Sequence, residues 1–171
     1  GIMPQLFAQT FSTWGTDFWV AYLTNWHPND VDEYIISISG SRACTAVISN
    51  PNTGWSHTVS VPANGVANYS VPEAQCKPLG SCTTRNVGLH ITATDSVQVF
   101  VYNHSGTESS CDASNIYSTW SLGSEYIVQT YPFTNGTANA CAEFCILAIQ
   151  NNTELEITYH GATSTGIPSG A

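Results

Sequence analysis

The stretch that decides the fold is VGLHITATDSVQVFVY, residues 87–102. Apolar side chains recur there at every second position, from Val87 to Ala93 and again from Val97 to Val101. Successive side chains of a β-strand point to opposite faces, so this period of two predicts two strands, each with one buried face. No window of eleven or more residues shows an apolar stripe with helical spacing. The sequence therefore predicts an all-β chain.

The same alternation extends in both directions from this stretch, with turn-forming residues between the segments. The further predicted strands are 18–23, 34–39, 44–49, 58–61, 66–71, 126–131, 144–150 and 155–157. Asn, Pro and Gly cluster at 50–54, 63–65 and 135–136, where they favour turns. Short strands at this regular spacing predict an antiparallel β-sandwich of the Ig-like kind.

Two blocks of the sequence recur at nearly one offset. Trp14–Val20 aligns with Leu122–Val128 at an offset of 108 residues, and Glu33–Ile38 aligns with Glu143–Ala148 at an offset of 110. Unrelated strands that share a pleat would also align, and the alternative is a true internal repeat. The repeat predicts a first sandwich unit over 12–106 and a partial second β unit over 107–171. Missing sequence or a neighbouring subunit would complete the second unit.

The chain is unusually poor in charge. Its 171 residues include 3 Lys+Arg against 12 Asp+Glu, and charged residues make up 9% of the chain, whereas a typical domain has about 25%. Binding to a nucleic-acid backbone or to an anionic membrane surface needs clustered basic residues, so neither is predicted. No apolar run reaches the roughly 18 residues of a membrane span, so membrane insertion is not predicted either.

Six cysteines, an even number, predict disulfides and an extracellular location. A structural zinc site is disfavoured because the spacings are not CxxC-like and no His flanks either close pair. Pro78 and Gly80 can turn the chain between Cys76 and Cys82, so we predict a local bridge between these two. The other four allow three connectivities, with a slight preference for 111–141 and 44–145. These four are Cys44, Cys111, Cys141 and Cys145.

Four Asn-x-Ser/Thr sequons are candidates for N-glycosylation. They are Asn68, Asn103, Asn135 and Asn151. A chain this rich in Asn, Ser and Thr would give about three by chance, so the sequons do not themselves indicate secretion. They gain meaning only if the cysteines place the protein outside the cell.

Motifs for catalysis or for a cofactor are lacking. The sequence has no Gly-x-Ser-x-Gly and no His-Glu-x-x-His, and its five histidines are scattered. We therefore do not predict an enzyme or a cofactor. Three acidic residues, Asp30, Asp32 and Glu33, form a weak calcium candidate. This segment lacks the glycine and the distant glutamate of an EF-hand loop, which favours a solvated loop instead.

Aromatic residues offer a second binding hypothesis. Trp26 and Trp55 fall in predicted loops, where recognition residues often lie, and are candidates for facing a glycan or another ligand. In contrast, Trp14, Trp19 and Trp120 lie beside the starts of predicted strands. We expect these three in the core, because aromatic side chains dominate core burial.

Four of these blocks, taken in order, resemble the N-terminal domain of the IgG-Fc-binding protein family. They are Gly15–Leu23, Gly88–Val99, Leu122–Val128 and Glu143–Ala148. The resemblance implies a secreted or surface-displayed β-rich module that binds or builds structure and does not catalyse. It extends to the first half or so of that longer domain. Antibody binding is not implied, because no motif residues carry it over.

Together these observations predict a non-catalytic extracellular module with a structural or adhesive role in a secreted, mucus-, matrix- or surface-associated assembly. Its expected partners are other protein subunits, through self-assembly or as modular neighbours. Low charge suits such packing, since few ions lose their hydration at a contact. The alternative is a lectin-like or receptor-like module that recognises a glycan or a protein.

Overall fold

A computed structural model describes residues 12–23, 32–80, 83–105, 111–129 and 143–160. In these ranges the chain forms seven strands, one short helix and one 3-10 turn. They are β1 (Trp14–Val20), β2 (Asp32–Gly40), β3 (Cys44–Asn50), β4 (Trp55–Val61), β5 (Gly65–Val71), α1 (Glu73–Cys76), β6 (Leu89–Ser105), β7 (Cys111–Ile116) and the 3-10 turn (Thr119–Ser121). The predicted all-β class is confirmed.

Strand β6, 17 residues long, is the centre of the sheet. Its first half pairs with β1 on one edge and β3 on the other, and its second half pairs with β7 and β2. Beyond these, β4 pairs with β3 and β5 pairs with β2. The order β4-β3-β6-β2-β5, with β1 and β7 on the remaining edge of β6, makes one antiparallel sheet. The sheet curves into a nearly closed barrel.

The predicted Ig-like sandwich is not confirmed, because the seven strands form one sheet. The difference lies at Thr94–Ser96, which resembles a break between two strands in the sequence. In the structure β6 runs through these residues, while its register with β1 shifts between Gly15 and Asp17. Such a bulge leaves extra residues of the long strand unpaired and lets it bend. One bent strand thus pairs with β1 and β3 before the bend and with β7 and β2 after it.

The barrel interior is filled by alternate residues of the strands. Its largest fully buried side chains include Phe18, Tyr34, Ile36, Ile38, Ile48, Leu89 and Ile91. The expectation that Trp14 and Trp120 lie in the core is wrong, since they are 40% and 59% exposed. Trp19 is half-buried and stacks on His90, with ring centroids 4.5 Å apart.

The chain divides into two compact units, Gly1–Tyr126 and Ile127–Ala171. The boundary predicted after residue 106 falls between β6 and β7, whereas the first unit continues through β7. The predicted second β repeat is unsupported, because residues 143–160 form no strand in the structure. Alternating residues there, such as Phe144 and Ile146, are 41% and 48% exposed. Alternating apolar residues give a strand one face that can be buried, but a strand also forms backbone hydrogen bonds along an edge to a neighbouring strand.

Candidate protein-binding surface

A shallow, open cleft lies between β4 and β5. The β4–β5 cleft is lined by Ala43, Cys44, Thr45, Ser60, Val61, Pro62, Val66 and Ala67. It forms because the two strands follow one another through a short turn but pair with different neighbours, β3 and β2. In that turn Asn64 has φ of 53° and its N–H donates to the Gly40 carbonyl at 2.9 Å. These lining residues are apolar or carry a hydroxyl or thiol group, and none of them is charged.

The edge of β5 that does not pair with β2 borders this cleft at Val66 and Ala67. Within the described residues β5 pairs only with β2, and its sequence Gly65–Val71 contains no charged residue and no proline. Natural edge strands usually carry charges, prolines or bulges that block pairing with another chain. On its outer face Asn68 and Ser70 are exposed, and Val66 is 58% exposed. An extended segment of another protein can add to such an edge.

Three aromatic residues pack against one another where β4 and β5 lie side by side. The Tyr69 ring stacks on His57 at 3.8 Å and lies 6.2 Å from Trp55. All three are half-buried, and Trp55 and Tyr69 also pack against the core. The ring of Trp55 is therefore partly packed against the core, and its predicted role of facing a ligand stays a prediction. Trp26, the other such candidate, lies outside the described residues.

A polar network fastens the 3-10 turn to β1. Thr119 donates through Oγ1 to the carboxylate and carbonyl of Asp17, and the other carboxylate oxygen lies 2.8 Å from His90 Nε2. Partial burial raises the pKa of Asp17, but the hydrogen bonds from Thr119 and His90 outweigh it, so the net pKa is lowered. In a hydrolase the histidine contacts the nucleophilic hydroxyl, whereas here the aspartate stands between them. With the aspartate in the middle, the three side chains hold the 3-10 turn against β1, and His90 does not contact the Thr119 hydroxyl.

Close packing supports the same junction. A Cβ on Gly15 would lie 2.5 Å from Ser118 Cβ, so only glycine lets β1 approach this segment. Ser118 and Ser121 are buried, and the hydroxyls of both donate to the Ser12 carbonyl. Leu122–Val128, the second copy of the proposed repeat, follows this junction and forms no strand.

Asp32, predicted as a calcium candidate, is instead part of a buried ion pair. Its Oδ2 lies 3.1 Å from Lys77 Nζ and accepts a hydrogen bond from Tyr34 at 3.2 Å. Glu73 Oε2 lies 3.4 Å from the same Nζ, and Glu73 Oε1 accepts from the Asp32 N–H at 3.0 Å. Burial lowers the pKa of Lys77, but the contacts with Asp32 and Glu73 outweigh it, so the net pKa is raised.

The calcium hypothesis gains no support from this geometry, because an ammonium already lies against the Asp32 carboxylate. Glu33 points elsewhere, with Oε2 3.8 Å from His104 Nδ1. Asp30 lies outside the described residues. Within the described ranges no three His, Cys, Asp or Glu side chains group as metal ligands would.

The predicted disulfides stay predictions. In the described part of the chain Cys44, Cys76, Cys111 and Cys145 carry free thiols. Cys82 and Cys141, the predicted partners of Cys76 and Cys111, lie outside that part. Cys76 is fully buried, and burial raises the pKa of its thiol to about 12.

The described sequons differ in accessibility. Asn68 and Asn151 are exposed. Asn103 is 7% exposed, and its Nδ2, the atom a glycan would be attached to, donates to the Leu23 carbonyl at 2.6 Å. Asn135 lies outside the described residues. Once the barrel has formed, Asn68 and Asn151 are therefore the accessible acceptors among the described sequons.

Comparison with known proteins gives one finding. No curated protein and no solved structure matches the chain significantly. A family model described as IgGFc binding protein matches residues 7–170, nearly the whole chain. This confirms the resemblance found in four sequence blocks. The chain therefore belongs to the IgGFc-binding protein family.

Proposed function

We propose that this chain is a non-catalytic, extracellular protein-binding module with a structural or adhesive role in a secreted, mucus-, matrix- or surface-associated assembly. Membership of the family supports an extracellular protein-binding role. The described residues also contain no helix long and apolar enough to cross a membrane. The observation that carries the proposal is the edge of β5 beside the β4–β5 cleft, which is uncharged and has no partner strand within the described ranges.

The occupant we propose for this edge is an extended segment from a second protein subunit. Backbone hydrogen bonds to the free edge would supply affinity, and side chains at alternate positions would contact the cleft. Because the cleft lining has no charged side chain, the incoming segment would displace no tightly hydrated ion. A second copy of this chain meets these requirements, since β4 and β5 both lack charged residues.

Substituting Val66→Lys is expected to weaken self-association by about tenfold or more, because the new ammonium would be buried against an apolar neighbour. Sedimentation velocity over a concentration series measures the effect. The matched control is Thr92→Lys, which adds the same charge on exposed Thr92 in β6, where both edges are paired. If the unsubstituted protein stays monomeric at every concentration, or both variants behave alike, self-assembly through β5 is refuted. The family assignment would be unaffected.

Glycan recognition is the second candidate, and the exposure of Trp120 favours it. This ring is 59% exposed, so its face is available to stack on a sugar. Trp120→Ala is expected to weaken binding of an array-identified glycan about tenfold. The control is Tyr126→Ala, since Tyr126 is 68% exposed beyond the 3-10 turn. An array without any bound glycan, or equal loss in both variants, would contradict this candidate.

A further inference from the structure

We propose that Lys77 and Asp32 condense into an intramolecular isopeptide bond, with Glu73 relaying the proton. Three groups needed for a dehydration between side chains without a separate enzyme meet here: an amine, a carboxyl carbon and a second carboxylate that can relay the proton. The distance from Lys77 Nζ to Asp32 Oδ2 is 3.1 Å, and that to Glu73 Oε2 is 3.4 Å. Such fixed contact replaces a bimolecular encounter and raises the effective concentration of the reacting groups by orders of magnitude.

Burial opposes the charges of this ion pair, although its contacts hold the net pKa of Lys77 above the usual value. The Asp32 side chain is fully inaccessible and that of Lys77 is 12% exposed. Tyr22, Tyr34 and Cys76, all buried, belong to the core on this side of the barrel. Removing two charges from water costs free energy. That cost disappears when the charged groups become one neutral amide.

One unsatisfied atom points to the same product. Asp32 Oδ1 is buried and has no hydrogen-bond partner among the residues that the structure describes, whereas Oδ2 has two. An unpaired carboxylate oxygen in the interior carries the full cost of its lost hydration. Condensation removes one carboxylate oxygen from the site as water. The ion pair thus leaves one carboxylate oxygen unsatisfied, which fits a precursor of the amide better than a final state.

The step balances without an oxidant or any added reactant. The Lys77 ammonium passes one proton to the Asp32 carboxylate, which gives a neutral amine and a carboxylic acid. The nitrogen lone pair attacks Cγ, and Glu73 takes a second proton from the nitrogen and delivers it to the departing hydroxyl. The C–O bond breaks and water leaves. The net change is an ammonium and a carboxylate to an amide and one water.

The bond would join the start of β2 to the residue that follows α1. The loop it closes contains β2, β3, β4 and β5, including the unpaired edge and the β4–β5 cleft. Closing a long loop lowers the entropy of the unfolded chain and so stabilises the folded one. A module whose edge strand is pulled by a neighbour would gain mechanical resistance from this closure.

The test is an intact-mass measurement on the whole chain, denatured, reduced, alkylated and enzymatically deglycosylated. The expected mass is one water below the sequence mass, with a branched peptide linking residues 32 and 77 in tandem spectra. Because Lys77 is the sole lysine, an amine-reactive ester should label no ε-amine in the denatured protein. A full sequence mass together with a labelled Lys77 would overturn the proposal.

Three variants assign the roles. Lys77→Arg keeps the charge but cannot form this amide, so water loss that persists in it would reveal a different dehydration and overturn the assignment. Asp32→Asn should lose ammonia in place of water. Glu73→Gln should leave the chain at full mass, with circular dichroism checking that the β fold is retained. Crosslinking at an unchanged rate in folded Glu73→Gln would overturn the role given to Glu73.

Discussion

Replacing Lys77 with Met lowers the free energy of unfolding by about 3–5 kcal/mol at neutral pH, as expected when one partner of a buried charged pair is removed. The side chain of Asp32 is fully inaccessible, and among the described residues the partners of its Oδ2 are Lys77 and Tyr34. Met fills a similar volume, so the packing loss is small and the stranded carboxylate dominates. Urea denaturation followed by tryptophan fluorescence measures the difference.

The control for this prediction is the double variant Asp32→Asn with Lys77→Met. It removes both charges while leaving an oxygen to accept from the Tyr34 hydroxyl. We expect the double variant to be more stable than Lys77→Met alone, because no unpaired charge remains in the interior. If the double variant were equally unstable or worse, the loss would come from packing around Lys77. The order of stabilities is the same whether the pair is ionic or joined as an amide.

The sequence predicts the strands of this protein better than their arrangement. Period-two alternation places β2, β3, β4 and β5 nearly where the structure has them, since each buries one face. It divides β6 at Thr94-Asp95-Ser96, because three polar residues in a row look like a turn. What keeps them in the strand is pairing on both sides of the bend. The exposed Arg42–Asp95 ion pair, with Nε and Oδ2 2.8 Å apart, lies beside them. Such contacts between distant residues leave no local pattern.

Residues 155–157 show the converse case, in which the sequence predicts a strand that the structure does not form. Leu155 and Ile157 have the spacing of a strand, yet they are 57% and 39% exposed in a segment without a ladder. Hydrophobic alternation reports which face a strand would bury. It does not report whether a partner edge is present, and that edge decides whether the strand forms.

Residues of the candidate sites were predictable only in part. Asp32 was visible within an acidic segment, but nothing in that segment points to Lys77, which lies far along the chain and becomes its neighbour through α1. One feature of the sequence does single out Lys77: it is the sole lysine of the chain and lies directly after a cysteine, beside a predicted turn. The β5 edge was also readable as an uncharged strand, but its lack of a second partner was not.

Asn50 carries the other large expected effect, because one buried amide holds three segments together. Its Nδ2 donates to the carbonyls of Gln75 at 2.8 Å and Asn86 at 3.2 Å, and its Oδ1 accepts from the Asn52 N–H at 3.0 Å. Asn50 is fully buried. It thus ties the β3–β4 turn to α1, and through α1 to Lys77, and to the segment before β6.

Asn50→Asp should therefore destabilise the fold by about 3–5 kcal/mol at pH 7, although the side chain hardly changes in size. A carboxylate oxygen would face the carbonyls of Gln75 and Asn86, so two donors are lost and a buried charge meets two partial negative charges. The matched control is Asn52→Asp, an exposed position two residues away, where we expect a change within about 0.5 kcal/mol. Equal effects in the two variants would contradict the bridging role of Asn50.

The pH dependence of the same variant separates charge from shape. Burial disfavours the charged form, so the introduced carboxyl has a higher pKa in the folded state than its value of about 3.9 in the unfolded chain. Its unfavourable contribution is then smallest below about pH 4 and grows as the pH rises toward the folded-state pKa. Urea denaturation at pH 4 and pH 7, each referenced to the unsubstituted protein, should give the larger loss at pH 7. A loss of stability that does not depend on pH would mean that the variant is destabilised by the missing N–H donors and not by the charge.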